Sequence, residues 1–217
     1  MCGYVAHAGL NFRDGANDSF AMAHVEAALG YKSTTGESLA QYIQQFEVGN
    51  EVDLYHENGI RNASYTYADY VSEFIYYSGD IVKAAGPKRI QGATFTHLFS
   101  NDMVSYIKQF APTGVVGSFS WHTYPLTDCD GHTDEIWSLL DDAASIGIAA
   151  KVAPWTPVAA SFNMPLYIGE GNSISCGGQL NISNTFAATL WSTDAMLNVA
   201  SVGVSRWNFH GQQLSRH

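Results

Sequence analysis

Short apolar runs alternate with helical segments along nearly the whole chain, and this alternation limits the fold more than any other feature. The run Tyr4 to Phe12 precedes a helix over about Asp18 to Leu29, stopped by Gly30, and a helical turn near Ser38 to Ile43 leads into the strand that ends Phe46-Glu47-Val48. Between Ser64 and Gly86 the residues Tyr67, Tyr70, Val71, Phe74, Ile75, Ser78, Ile81, Val82 and Ala85 share one helical face, with Ser64 as N-cap and Gly86-Pro87 as stop. Strand Ile90 to Phe95 follows, then a helix over about Asp102 to Phe110 and strand Val115 to Trp121. Helical segments over roughly Thr133 to Ala150, strand Leu166 to Gly169, a helix over about Asn184 to Ala200 and strand Val202 to Phe209 complete the series. Strands separated by helices pair in parallel through βαβ crossovers, so the chain reads as α/β.

Six strands fit either an open doubly wound sheet or an incomplete (β/α)8 barrel, because a whole barrel has eight strands and typically about 250 residues. The polar residues favour the barrel. Asn50-Glu51, His97, His122, Tyr124, Glu170 and His210 sit at or just past the C-terminal ends of successive strands, the face on which barrel enzymes build their sites. Two strand ends deliver a carboxylate in the same manner, Phe46-Glu47-Val48-Gly49-Asn50-Glu51 and Tyr167-Ile168-Gly169-Glu170-Gly171-Asn172. Such a pair is the equipment of a retaining glycosidase, in which one Glu protonates the leaving oxygen and the other attacks the sugar.

Charge narrows the partners. The net charge is −10, from 20 acidic and 10 basic residues, and the basic ones are scattered apart from Lys88-Arg89. Nucleic acid, anionic membranes and long sulfated polyanions all call for a clustered positive field, so none is expected. No apolar run approaches the length of about 18 residues that spans a membrane. Met1 to His7 lacks the basic start and apolar core of a signal peptide. Three sequons, at Asn17-Asp18-Ser19, Asn62-Ala63-Ser64 and Asn181-Ile182-Ser183, lean towards an extracellular glycoprotein. Cys2, Cys129 and Cys176 have no metal-ligand spacing and leave two arrangements open, one disulfide with a spare thiol or three free thiols.

Four stretches together resemble glycoside hydrolase family 79, which holds β-glucuronidases and heparanases. They are Phe46-Glu47-Val48-Gly49-Asn50-Glu51-Val52-Asp53-Leu54-Tyr55, Trp121-His122-Thr123-Tyr124, Ile168-Gly169-Glu170-Gly171-Asn172-Ser173-Ile174-Ser175-Cys176-Gly177-Gly178 and Trp207-Asn208-Phe209-His210-Gly211. The likeness runs from Gly9 to Gly211. It implies that residues 1–217 form a partial catalytic TIM barrel, strands three to eight, with the first two strands, the last helix and an accessory β-sandwich domain absent from the chain. It also implies Glu51, after strand four, as acid and then base, and Glu170, after strand seven, as the nucleophile that forms a glycosyl ester. On the same reading Asn50 bonds the sugar 2-hydroxyl and Tyr124 donates its phenol to Glu170. His122, Asn172, His97, Trp207 and His210 are further substrate-binding candidates, and Trp121 is a possible part of an aromatic floor beside Trp207.

The strand count that the resemblance implies puts Cys129 after strand six and Cys176 after strand seven, where a disulfide would stiffen both loops. The ending Gly211 to His217 departs from the family pattern. The expected activity is that of a secreted retaining exo-β-glucuronidase acting on terminal β-linked glucuronic acid, with no cofactor or metal. Three alternatives stay open: an endo-acting heparanase-like enzyme, which the dispersed basic residues disfavour, a barrel fragment without catalysis of its own, and, more distantly, another glycosidase of the same clan such as a xylosidase.

Overall fold

The structure is a computed structural model that describes residues 6–211, in two compact units divided after Ser120. The first contains β1 (Ala6–Leu10), α1 (Ser19–Gly30), β2 (Ile43–Val48), α2 (Tyr67–Ala85), β3 (Ile90–Phe95), α3 (Met103–Phe110) and most of β4 (Val116–Thr123). β1 pairs with β2, and β2 with β3, in parallel, in the register Ala8↔Phe46 and Phe46↔Ile90. The second unit takes the end of β4 and adds β5 (Leu126–Thr127), α4 (Ile136–Leu139), α5 (Ala143–Val152), α6 (Thr156–Ser161), β6 (Leu166–Gly171), β7 (Ile174–Ser175), α7 (Phe186–Ser201) and β8 (Arg206–Phe209).

Strand order decides the fold class. It is β1-β2-β3-β4 in the first unit and β4-β6-β8 in the second, always in chain order. A doubly wound sheet reverses its order at a switch point, whereas a barrel never does. The fold is α/β, with the strand succession of an incomplete (β/α)8 barrel.

The core of the first unit follows from its aromatics. Every residue of β3 is buried, as expected of a strand covered on both faces. Helix α2 lays Tyr70, Phe74, Tyr77 and Ile81 inward at spacings of four, three and four, and all four are fully buried. Tyr106 and Phe110 of α3 meet Phe74 edge-on at 5.6 and 5.0 Å, and Phe12 meets Tyr77 at 4.7 Å. Edge-to-face pairs of this kind add about 0.5–1.5 kcal/mol each beyond their buried area. Across the three strands, His7 of β1 bonds Gln91 of β3, which in turn bonds Glu47 of β2.

Several expected boundaries move, each for a local reason. Helix α2 is capped by Thr66, whose hydroxyl accepts from the N–H of Asp69 while the Asp69 carboxylate accepts from the N–H of Thr66, a reciprocal capping box. Ser64 instead closes a turn on Asn62 Oδ1. The inward face includes Tyr77, and Ile75, expected there, is 53% exposed. The segment expected as helix over Thr133 to Ala150 splits into α4 and α5 at a turn in which Asp141 Oδ1 accepts from the N–H of Ala143. Strand β8 begins at Arg206 rather than Val202, since α7 runs to Ser201 and Gly203, at φ 97°, makes the turn. Tyr4, Val5 and Cys2, with residues 212–217, lie outside the described residues.

Candidate active site

In the first unit the site residues hang on the end of β2. Gly49 has φ 82°, and a Cβ there would lie 2.6 Å from Val52 Cγ1 and 3.1 Å from Phe12 Cβ. Only glycine fits. The chain then exposes Asn50 and carries Glu51, part-buried, in left-handed backbone at φ 48° and ψ 50°. The Glu51 N–H donates to Thr94 O at 3.0 Å, and on the adjacent strand Ala93 and Thr94 also have positive φ, 75° and 59°. Non-glycine residues in this region cost of order 1–3 kcal/mol each and persist only where the surroundings over-determine them.

Asp53, two residues on and 1% exposed, fixes the loop after β3: its carboxylate accepts from the N–H of Thr96, Leu98 and Phe99 at 2.9 to 3.3 Å. That loop carries His97, which is exposed and has Nδ1 3.1 Å from Thr96 Oγ1. Arg61 closes the other side. It forms a two-point pair with Glu73, at 3.2 and 2.9 Å, and donates to the carbonyls of Phe12 and Arg13. The Glu73 carboxylate holds the guanidinium pKa up against burial, which acts the other way.

In the second unit the site is built on the end of β6. Glu170 is 23% exposed in its side chain. Tyr124 Oη donates to Glu170 Oε1 at 2.6 Å, His210 Nδ1 is 2.7 Å from the same phenol oxygen and 3.2 Å from Glu170 Oε1, and His122 Nδ1 is 3.9 Å from Oε2. His122 is fully buried because β4 continues through it to Thr123. Asn172 Nδ2 donates to the carbonyl of His210 at 2.7 Å and the N–H of His210 donates to Gly171 O at 3.0 Å, so the ends of β6 and β8 are locked together. Gly171 is required here, since a Cβ would lie 2.6 Å from Thr123 O and 3.1 Å from the Trp207 ring.

Trp207 lies under that glycine, with its Nε1 donating to Gly171 O at 3.3 Å and its ring stacked on Phe209 at 5.3 Å. Trp121 is buried edge-on against Trp155 and serves as core. A cavity of about 540 Å³ opens beside Tyr124, lined by Trp121, Leu126, Ile148 and Lys151 among others, but Glu170, Asn172 and His210 do not line it.

The loops after β4 and β6 are stitched together. Cys129 and Cys176 form a disulfide with Cα atoms 5.2 Å apart, β5 and β7 pair in parallel, and Asp134 and Gln179 exchange hydrogen bonds through the N–H and carbonyl of Asp134, both at 2.9 Å. Thus Glu170, Tyr124, His210, His122 and Asn172 meet in the second unit, while Asn50, Glu51 and His97 stand on neighbouring strand ends of the first. Sequence reasoning missed Asp53 and the Asp134–Gln179 clamp. Their partners are 43 to 46 and 45 positions away, and no local pattern announces them.

No family model matches the chain. Across 93% of its length it is 26% identical to a β-glucuronidase of Aspergillus niger, of which it spans 40%. A 46-residue stretch is 48% identical to a β-glucuronidase of Neurospora crassa. Among solved structures, a 4-O-α-L-rhamnosyl-β-D-glucuronidase from Fusarium oxysporum 12S superposes on 99% of the chain with TM-score 0.77 at 19% identity, the match covering 45% of that structure. A monomeric β-xylosidase from Caulobacter crescentus superposes on 90% of the chain with TM-score 0.58 at 16% identity, covering 37% of that structure. The chain is glycoside hydrolase-like.

Proposed function

We propose that this chain carries the reacting residues of a retaining exo-β-glucuronidase, with Glu170 as nucleophile and Glu51 as acid and then base. The observation that carries the reading is the setting of Glu170, a carboxylate at a strand's C-terminal end that accepts the phenol of Tyr124 and lies beside two imidazoles. A donor aimed at the ionised form keeps a carboxylate charged and oriented for attack. Glu51 follows Asn50 at the end of another strand, and Asn50 is exposed, as a residue that bonds the sugar 2-hydroxyl must be. Likeness to two fungal β-glucuronidases supports the choice of sugar.

In the first step Glu170 attacks the anomeric carbon as Glu51 protonates the departing oxygen, leaving a glycosyl ester on Glu170. In the second Glu51 takes a proton from water, which displaces Glu170 and restores the starting state. This sequence calls for the two carboxyl groups to stand about 5–5.5 Å apart. The disulfide and the three exposed sequon asparagines, Asn17, Asn62 and Asn181, support passage through an oxidising secretory compartment.

The experiment is intact and peptide mass spectrometry after incubation with a 2-fluoro-glucuronyl fluoride. A single adduct on the Glu170 peptide is expected. An adduct on another residue, or labelling only by the corresponding 2-fluoro-xylosyl reagent, would overturn the assignment of nucleophile or of sugar.

A further inference from the structure

We infer that His210 is a positioning residue for Glu170, held as the tautomer that carries its proton on Nδ1. The inference deepens the reading of Glu170 as nucleophile and rests on it for the kinetic part only. Three atoms form a closed triangle: Tyr124 Oη to Glu170 Oε1 at 2.6 Å, Tyr124 Oη to His210 Nδ1 at 2.7 Å, and His210 Nδ1 to Glu170 Oε1 at 3.2 Å. An ionised carboxylate only accepts, and a phenol has one proton to give. That proton goes to Glu170. If Nδ1 were bare, its lone pair would face the lone pairs of both oxygens, an unfavourable arrangement at these distances. With the proton on Nδ1, the imidazole donates into the fork between the phenol and carboxylate oxygens, and every short contact in the triangle is a hydrogen bond.

The backbone fixes the ring in this place. Asn172 Nδ2 holds the carbonyl of His210, and the N–H of His210 holds the carbonyl of Gly171, the residue next to Glu170. Glu170 Oε1 thereby receives two donors from two different loops, one after β4 and one after β8. Their combined effect is to hold the other oxygen, Oε2, in one direction as the attacking atom. His210 is exposed, with 59% of its side chain accessible, so its replacement leaves the core untouched.

The test uses the geometry of the replacement amides. The Asn amide nitrogen falls where Nδ1 stands, and the Gln amide nitrogen falls near Nε2. His210→Ala should lower kcat by about 10²-fold, on the order of the cost of removing one preorganised donor from an active site, with KM changed far less. His210→Asn should recover most of that loss and His210→Gln should not. Equal recovery by Gln, or a loss carried by KM alone, would overturn the positioning role. A second measurement needs no turnover: the imidazole ¹⁵N spectrum of the whole chain at neutral pH should show a protonated Nδ1 at His210. A bare Nδ1 overturns the inference even if the glucuronidase reading stands. A protonated Nδ1 in a chain that no sugar reagent labels leaves the inference intact while the activity reading fails.

Discussion

The phenol oxygen of Tyr124 stands 2.6 Å from Glu170 Oε1 across 46 positions of sequence. The contact ties the loop after β4 to the end of β6 and presents a donor to the face of the carboxylate turned away from Oε2. Tyr124→Phe removes the donor and keeps the ring. The rate of labelling at Glu170 by a 2-fluoro glycosyl fluoride is expected to fall by about 10²-fold, with the melting curve almost unchanged. Labelling at the native rate would show that the phenol packs and does nothing more.

On the proposed mechanism, Glu51→Ala separates the two chemical steps. An acid that protonates a leaving oxygen matters least when the leaving group departs unaided. The variant should therefore lose most activity on alkyl glucuronides and much less of the first step on a dinitrophenyl glucuronide. Added azide should restore turnover and give a glucuronyl azide of retained configuration. Failure of azide to rescue, with Glu170 still labelled by the trapping reagent, would remove Glu51 from the acid/base role.

The disulfide closes a loop across a sequence separation of 47 residues. Loop-closure entropy for that length corresponds to about 4 kcal/mol of stability. Cys129→Ser with Cys176→Ser should lower the unfolding free energy by an amount of this order, seen as a lower denaturant midpoint, and dithiothreitol should do the same to the native chain. Midpoints that coincide with and without reductant would show that the paired β5 and β7 and the Asp134–Gln179 clamp hold the loops without it.

Gly49→Ala tests the turn that delivers Asn50 and Glu51. The new methyl meets Val52 Cγ1 at 2.6 Å in a backbone of φ 82°, so both sterics and conformation oppose it. A destabilisation of roughly 1–3 kcal/mol is expected, measured by equilibrium denaturation. A neutral result would mean that the segment after β2 is free to move.

The capping box of α2 predicts a pH dependence. Asp69 has its carboxyl pKa lowered by the hydrogen bonds from the Thr66 hydroxyl and N–H. A group whose folded pKa is depressed contributes stability that is complete above its unfolded value and fades as pH falls through the folded one. The stability gap between the native chain and Asp69→Ala should thus be constant from about pH 5 to 7 and narrow below about pH 4. A gap that does not respond to pH would assign the cap to the Thr66 hydroxyl alone.

The strand and helix succession was legible because strands and helices differ in period, and the periodic runs were long. The polar ladder, His7 to Gln91 to Glu47, was not legible, since its members come from three strands and each looks like an isolated polar residue in an apolar run. Glu51, Glu170 and Tyr124 stood out because they lie at or just past the ends of strands. His210 and Asn172 could be named as neighbours of the site, but their mutual hold depends on the bulged pairing between β6 and β8, where the register shifts between Ile168 and Gly171. Asp53 was silent for the same reason. Its work is done on a loop that the sequence brings near only through the sheet.

The left-handed backbone at Glu51 also sets natural selection at odds with itself. At φ 48° the position suits glycine better than any side chain. Selected for folding alone, this site would drift towards glycine and gain stability. The proposed acid/base role needs a carboxylate there, and a Glu51→Gly chain that is sturdier than its parent yet inert would display that trade directly.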